Sequence, residues 1–227
     1  DIQGGFLMDL THLPEEDLKE ILRLTEAKKK LEIRETAHKN FMPFAHHVYE
    51  NFIEGRHHRI IAEKLERVAN GELKRLIINM PPRHSKSEFA SYLMPAWFLG
   101  RNPKLKIIQA THNTELAVRF GRKVRDLLDD PQYQEVFPKT QLKDDNKGAG
   151  NWQTTAGGEY YAAGVGSAVT GRGADLFVID DPHSEQDALS ETAFEHAYEW
   201  YTSGPRQRLQ PGGSIILVMC MTGDTLV

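Results

Sequence analysis

The sequence predicts a three-layer α/β fold with a mostly parallel central sheet and a set of N-terminal helices. Three observations carry this. Short apolar runs rich in β-branched residues recur at Leu73–Asn79, Leu105–Thr111, Leu176–Ile179 and Ser214–Met219. Helix-length amphipathic segments separate most of them, the pattern of parallel strands joined by crossovers. The first run stops at a tight loop, and the third stops at two carboxylates, Asp180-Asp181.

The elements follow in order. Residues 14–38 read as a charged helix, because Pro14-Glu15-Glu16-Asp17 places proline and acids in a first turn, where the helix dipole favours them. Lys28-Lys29-Lys30 within it reads as a solvated face. Residues 44–54 and 57–70 read as two more helices stopped by Gly55 and Gly71. After the strand Leu73–Asn79 and its loop, residues 86–99 form a helix. The strand Leu105–Thr111 leads to a helix over 113–128 that carries Arg119, Arg122, Lys123 and Arg125. Residues 129–150 read as polar loop. Trp152–Thr155 and Glu159–Ala163 flank Ala156-Gly157-Gly158, which predicts a hairpin. Gly164–Gly173 holds four glycines around Arg172 and reads as a mobile loop. Residues 190–203 form a helix with Ser190 as N-cap. Pro211-Gly212-Gly213 is a turn before the last strand.

The 227 residues suffice for one α/β domain with an accessory segment. Hydrophobic content of 40% and charged content of 26% are ordinary for a globular chain. No apolar run approaches the roughly 20 residues that span a bilayer, and no secretory signal is visible, so no membrane partner is expected. The single cysteine, Cys220, excludes an internal disulfide and fits a reducing compartment. A net charge of −4 means that any DNA contact must use local basic patches. Residues 1–7 precede the first methionine, Met8, and read as either an appended non-native remnant or the edge of a fragment.

The chemistry concentrates at Met80-Pro81-Pro82-Arg83-His84-Ser85-Lys86-Ser87. A strand, a tight loop, Lys-Ser and a helix make the layout of a nucleotide phosphate loop. Backbone N–H groups hold phosphate, the lysine neutralises charge and the next hydroxyl takes Mg²⁺. Met80 and Ser85 stand where the common pattern has glycine. Pro81 and Pro82 donate no N–H, so phosphate contact falls to the amides of about residues 83 to 87 and to Lys86. ATP is thus expected at Arg83, His84, Ser85, Lys86 and Ser87, with Arg83 stabilising the transferring phosphoryl group. Asp180 is the expected Mg²⁺ ligand with Ser87. Asp181 is expected to orient or deprotonate the attacking water; Glu185 is the fallback. A histidine-rich stretch (His46, His47, His57, His58) lacks an acidic or cysteine partner at ligand spacing, which argues against a metal there.

The stretch from His57-His58-Arg59 through Leu65-Glu66-Arg67-Val68, Gly71-Glu72-Leu73, Arg75-Leu76-Ile77-Ile78-Asn79 and Pro81-Pro82-Arg83-His84-Ser85-Lys86-Ser87-Glu88 resembles the ATPase domain of tailed-phage terminase large subunits. So does Gly164-Val165-Gly166-Ser167-Ala168-Val169-Thr170-Gly171-Arg172-Gly173-Ala174-Asp175, followed by Ile179-Asp180-Asp181-Pro182-His183. The resemblance covers most of residues 40–219. It implies an ASCE-type P-loop motor that hydrolyses ATP to pump double-stranded DNA into a procapsid. The implied setting is a homo-oligomeric ring on the portal protein, with a small terminase subunit, in the cytoplasm of an infected bacterium. Lys86, Ser87 and Arg83 fall on the variant Walker A motif, and Asp180 and Asp181 on Walker B. Arg172 falls where some terminases place an arginine that reaches the neighbouring subunit's ATP. Adenine contacts come from upstream of the first strand in this family, with Phe41, Phe44 and His46 as candidates. The family's C-terminal nuclease has no counterpart here, and no DNA cleavage is expected.

The resemblance breaks after Met219. Cys220-Met221-Thr222-Gly223-Asp224-Thr225-Leu226-Val227 resembles the first block of an intein, with Cys220 as the splice nucleophile. The remaining splicing groups would lie on a continuation or a complementary intein fragment. The organisation expected is therefore an N-terminal helical segment (1–72), an ATPase core (73–219) and the first residues of an intein (220–227). Two other readings stay open: a different P-loop enzyme, of helicase type or a kinase, and an inactive precursor fragment.

Overall fold

The computed structural model describes residues 14–169, 171–184, 186–187, 190–222 and 225–226. Helices α1 (Glu15–Lys39), α2 (Phe41–Val48) and α3 (Arg56–Ala69) come first. Strand β1 (Arg75–Met80) leads into the loop that starts at Pro81. The helix after the loop opens as a π-helical turn, Glu88–Leu93, and continues as α4 (Met94–Arg101). Next come β2 (Lys106–Thr111), α5 (Thr114–Leu128), α6 (Pro131–Val136), β3 (Leu142–Lys147), β4 (Asn151–Thr154), β5 (Glu159–Gly164) and β6 (Ala174–Asp180). The chain closes with α7 (Glu191–Ser203), a 3₁₀ turn at Pro205–Arg208, β7 (Leu209–Thr222) and a two-residue β8 (Thr225–Leu226) that folds back on β7.

The sheet runs β1-β7-β6-β2-β5-β4-β3. The first five strands are parallel; β4 and β3 are antiparallel additions. One strand, β7, lies between the loop-bearing β1 and the acidic β6, the ASCE-type arrangement. Parallel strands end on one side of the sheet, so the loop after β1 and the carboxylates after β6 share an edge.

Side chains alternate along each strand and feed two cores. Leu176, Val178, Ile216 and Val218 face the helical layer of α1 to α6 and the π-helical turn. Phe177, Ile179 and Ile215 face the other side, against Trp200 and Tyr201 of α7. The N-terminal helices join the first core. Trp97 Nε1 donates to the Ala37 carbonyl at 3.0 Å, and the Phe41 ring meets the Trp97 and Phe89 rings at 5.5 Å. Such edge-on aromatic pairs contribute about 0.5–1.5 kcal/mol beyond area burial. Most of α1 stays exposed, Lys28–Lys30 included, as a solvated face should.

Four local expectations are corrected. Residues 129–150 are not loop throughout: Asp130 caps α6 by accepting from the Gln132 amide, and β3 extends the sheet. Helix α2 starts at Phe41 and ends at Val48, several residues before 54. Pro211-Gly212-Gly213 does not precede the last strand but bulges within it. Ala174 pairs with Leu209 and Leu176 with Ser214, so β7 carries extra residues there, with Gly212 at φ +85°. Finally, β7 does not stop at Met219; Cys220 pairs with Met80. The hairpin forms as expected, with Gly157 at φ +92° in its turn.

Candidate active site

The loop from Pro81 to His84 is exposed and ends against the buried start of its helix. Arg83 (φ 63°) and Ser85 (φ 60°) both adopt left-handed backbone. Ser85 thus takes the conformation that glycine supplies in the common pattern, at a cost of order 1–2 kcal/mol. Alternating left-handed residues turn successive N–H groups to one side, an anion-binding nest. The amides of Arg83 to Lys86 are not engaged by any protein group among the described residues. The His84 ring Nδ1–H donates to the Pro82 carbonyl at 2.8 Å and braces the loop. The Ser85 carbonyl accepts from the Phe89 amide at 3.0 Å and opens the helix.

Lys86 is not the exposed cation its loop position suggests. Only 8% of it is accessible, and its ammonium lies 3.3 Å from Asp181 Oδ2. Ser87 Oγ donates to Asp180 Oδ1 at 3.1 Å, and Ser91 Oγ donates to Asp180 Oδ2 at 2.6 Å. Burial pushes the Asp180 carboxyl up to about 6, with the Asp181 charge adding to the shift. The hydrogen bonds from Ser91 and Ser87 and the Lys86 charge oppose it. Asp181 itself sits at φ 42°, another left-handed residue. Its amide donates to the Val218 carbonyl, and its carbonyl accepts from the His112 amide and the His112 ring Nδ1–H.

The structure therefore brings together Lys86, Ser87, Asp180 and Asp181 beneath the loop of Arg83, His84 and Ser85. It does not bring Arg172 there. Arg172 precedes β6, at the opposite end of that strand from Asp180, roughly 20 Å away along seven residues. It is ion-paired with Glu159, and its guanidinium stacks 3.9 Å from the Tyr161 ring centroid. Two adenine candidates are also displaced: Phe41 and Phe44 are fully buried core residues. His46 remains half-exposed, with its ring Nε2 2.6 Å from Glu54 Oε2. Among the described residues no group of three or more His, Cys, Asp and Glu side chains converges closely enough to hold a metal ion. Thr170, Glu185, Gly223, Asp224 and Val227 lie outside the described residues.

Sequence reasoning missed Ser91 and His112. Ser91 lies four residues after Ser87 on the same helical face, so its contact with Asp180 was open to a periodicity argument. His112 acts through the backbone of Asp181, and no sequence pattern marks it. An apolar groove lined by Ile77, Phe194, Tyr198, Trp200, Ile215 and Leu217 lies on the other face of the sheet and contains no residue of the loop from Pro81 to Ser87.

The donor set suits Mg²⁺: a hydroxyl and a carboxylate, both oxygen ligands, already converge. No family model and no curated protein matches the chain. Among solved structures, the large terminase of bacteriophage HK97 aligns with a TM-score of 0.45 and 12% identity, over 74% of this chain and 33% of that one. The large terminase ATPase domain of Thermus phage P74-26, in an arginine-to-alanine mutant, aligns with a TM-score of 0.46 and 14% identity, over 77% and 68%. The chain thus spans about a third of the HK97 protein. At that overlap the likeness assigns no residue, and the site stands on its own geometry.

Among the described residues no helix is long and apolar enough to cross a membrane.

Proposed function

We propose that this chain is the ATP-hydrolysing motor domain of a phage large terminase, coupling hydrolysis to double-stranded DNA packaging. One observation carries the reading. The Lys-Ser pair of the loop meets the Asp-Asp pair of a distant strand, lysine to one aspartate and serine to the other.

In this reading the free amides of Arg83 to Lys86 receive the β- and γ-phosphates. Lys86 exchanges Asp181 for phosphate oxygens. Asp181, released, orients a water and accepts its proton as the water oxygen bonds to the γ-phosphorus and the bond to ADP breaks. Arg83 supports the charge on the transferring group. Ser87 and Asp180 hold Mg²⁺, which supplies charge neutralisation on the phosphates when bound. Arg172 serves a neighbouring subunit of a ring on the portal, where an arginine finger is worth about 10³–10⁵ in rate. A small terminase subunit and the infected cell's cytoplasm complete the setting. The test is phosphate release by the purified chain with Mg²⁺ and ATP, with and without double-stranded DNA. Turnover absent under both conditions, and absent again on assembled portal, would count against the motor.

The sequence after Met219 supports a second activity on the same chain, protein splicing. The Cys220 thiolate attacks the Met219 carbonyl; the C–N bond breaks, a thioester forms and the Cys220 amine is freed. Supplying the complementary intein portion with dithiothreitol should release a fragment ending at Met219. Cys220→Ala should abolish that release. Release that persists in Cys220→Ala would remove this activity.

A further inference from the structure

Three polar side-chain atoms in the first core have no hydrogen-bond partner among the described residues. Gln109 on β2 is fully buried, and neither its amide nitrogen nor its amide oxygen has a partner. Tyr160 on β5 is equally buried, and its hydroxyl is unpaired.

The strand register puts both in line with the magnesium-site carboxylate. Gln109 pairs with Ala162 on β5 and Val178 on β6. Tyr160 pairs with Ile107, one same-face step before Gln109, and Asp180 pairs with Thr111, one same-face step after it. Side chains at alternate positions share a face, and this is the face of Ile107, Ala162 and Val178. Gln109 is thus midway on a diagonal from Tyr160 to Asp180. Diagonal neighbours on a sheet face are about 7–8 Å apart, within reach of long side chains. After burial itself, the Asp180 charge is the next cause raising the Tyr160 hydroxyl.

An unpaired buried amide or hydroxyl costs about 1–3 kcal/mol, and such groups are almost always satisfied. The cross-strand partners Ala162 and Val178 and the same-face neighbour Ile107 are apolar, so a methionine, close to glutamine in volume, would fit here and remove the penalty. A buried water needs two to four polar partners, and this diagonal supplies them. We propose that Gln109 is a positioning residue for the Asp180 carboxylate, acting through enclosed water that it shares with Tyr160. The inference rests on the ATPase reading. Ser87 now donates to one Asp180 oxygen. When that hydroxyl turns to the metal, the carboxylate loses a donor, and the water held by Gln109 replaces it and keeps the carboxylate oriented.

The experiment compares the parent with Gln109→Met, Tyr160→Phe, the double variant and Lys86→Ala. Binding of a non-hydrolysable ATP analogue is measured by calorimetry with and without Mg²⁺, alongside steady-state hydrolysis and the thermal unfolding midpoint. Both single variants should unfold at or above the parent's temperature and bind the analogue alone as the parent does. Each should lose about tenfold of the Mg²⁺-dependent gain in affinity, the scale of groups that orient metal ligands. Each should lose a similar factor in kcat with KM for ATP unchanged, and the double variant should be no worse than the worse single one. Full Mg²⁺ gain and full kcat in either single variant would overturn the proposal, and so would losses that add in the double variant. Should Gln109→Met fail to fold, Tyr160→Phe, which removes one oxygen, decides alone. A parent that binds no nucleotide, or a Lys86→Ala that hydrolyses normally, sinks the ATPase reading itself and the inference with it.

Discussion

Lys86 Nζ and Asp181 Oδ2 are held 3.3 Å apart, joining the loop after β1 to the acidic end of β6. The hydrolysis proposed above gives the two groups different tasks, yet each occupies the other. Phosphate entering the loop would compete for the lysine and so release the aspartate. On that proposal, release of the Asp181 carboxylate is tied to occupancy of the loop.

Lys86→Ala should lower phosphate release at least ~100-fold, the scale of losing one transition-state donor. Because Lys86 is largely buried, truncation also leaves a void and an uncompensated Asp181. Lys86→Met keeps the volume and should be as inactive while unfolding within a few degrees of the parent. Comparing the two by phosphate release and thermal melting separates charge from packing.

Asp181→Asn should bind Mg²⁺·ATP with near-parent affinity and hydrolyse it at least ~100-fold more slowly, since the proton acceptor matters only in the transition state. Filter binding against single-turnover hydrolysis reads the split. Equal losses in both would remove Asp181 as the base.

Asp180 sets a pH dependence. Its carboxyl stands at about 6, against 3.8 for an ordinary aspartate, chiefly through burial. The protonated form suits the interior, so its stabilising contribution is fully present below about 4 and is lost as pH rises through about 6. The two limits differ by roughly 3 kcal/mol. Without nucleotide, Asp180→Asn should therefore flatten the stability profile between pH 4 and 6 and melt higher than the parent at pH 7. Mg²⁺ needs the ionised form, so Mg²⁺-dependent ATP affinity should fall about tenfold per unit below pH 6.

Ser85→Gly should relieve the left-handed strain at φ 60°. A gain of about 1 kcal/mol, or 2–4 °C in melting temperature, is expected with hydrolysis retained. Ser85→Val should lose several-fold in ATP affinity, because a β-branched residue resists that backbone. Nucleotide titration and melting check both.

Arg172→Ala should cost the isolated chain no more than about 1–2 kcal/mol, the worth of a partly exposed ion pair and a cation–π contact. ATP binding should be unchanged. Mixing it with Lys86→Ala should restore hydrolysis on assembled portal, because each subunit supplies what the other lacks. Strictly additive inactivity in the mixture would confine Arg172 to its contacts with Glu159 and Tyr161.

The elements with strong periodicity or clear punctuation were legible in the sequence. The strand before the loop, the Gly157-Gly158 hairpin and the Ser190 cap all stand where spacing put them. Short elements inside polar stretches were not. Strand β3 is Leu142-Lys143-Asp144-Asp145-Asn146-Lys147, and only its pairing with β4 makes it a strand. The site was legible as residue types but not as environments. Lys86 reads as a loop cation because burial by a distant strand leaves no local trace. Phe41 and Phe44 read as available for a base because nothing nearby announces Trp97 and Tyr133. Gln109 passed unnoticed inside a run that reads simply as a buried strand.

Strand β1 is the outermost strand of the sheet among the described residues, hydrogen-bonded only to β7, and Ile77 on it is 63% exposed. Lys86 therefore hangs from the strand with a single ladder, while Asp180 ends a strand held on both sides. Amide hydrogens of Leu76 to Met80 should exchange with solvent through small local openings, those of Leu176 to Ile179 only through larger ones. The two halves of the site thus differ in mechanical stiffness: a firm acidic anvil and a compliant arm, which can move without disturbing the centre of the sheet.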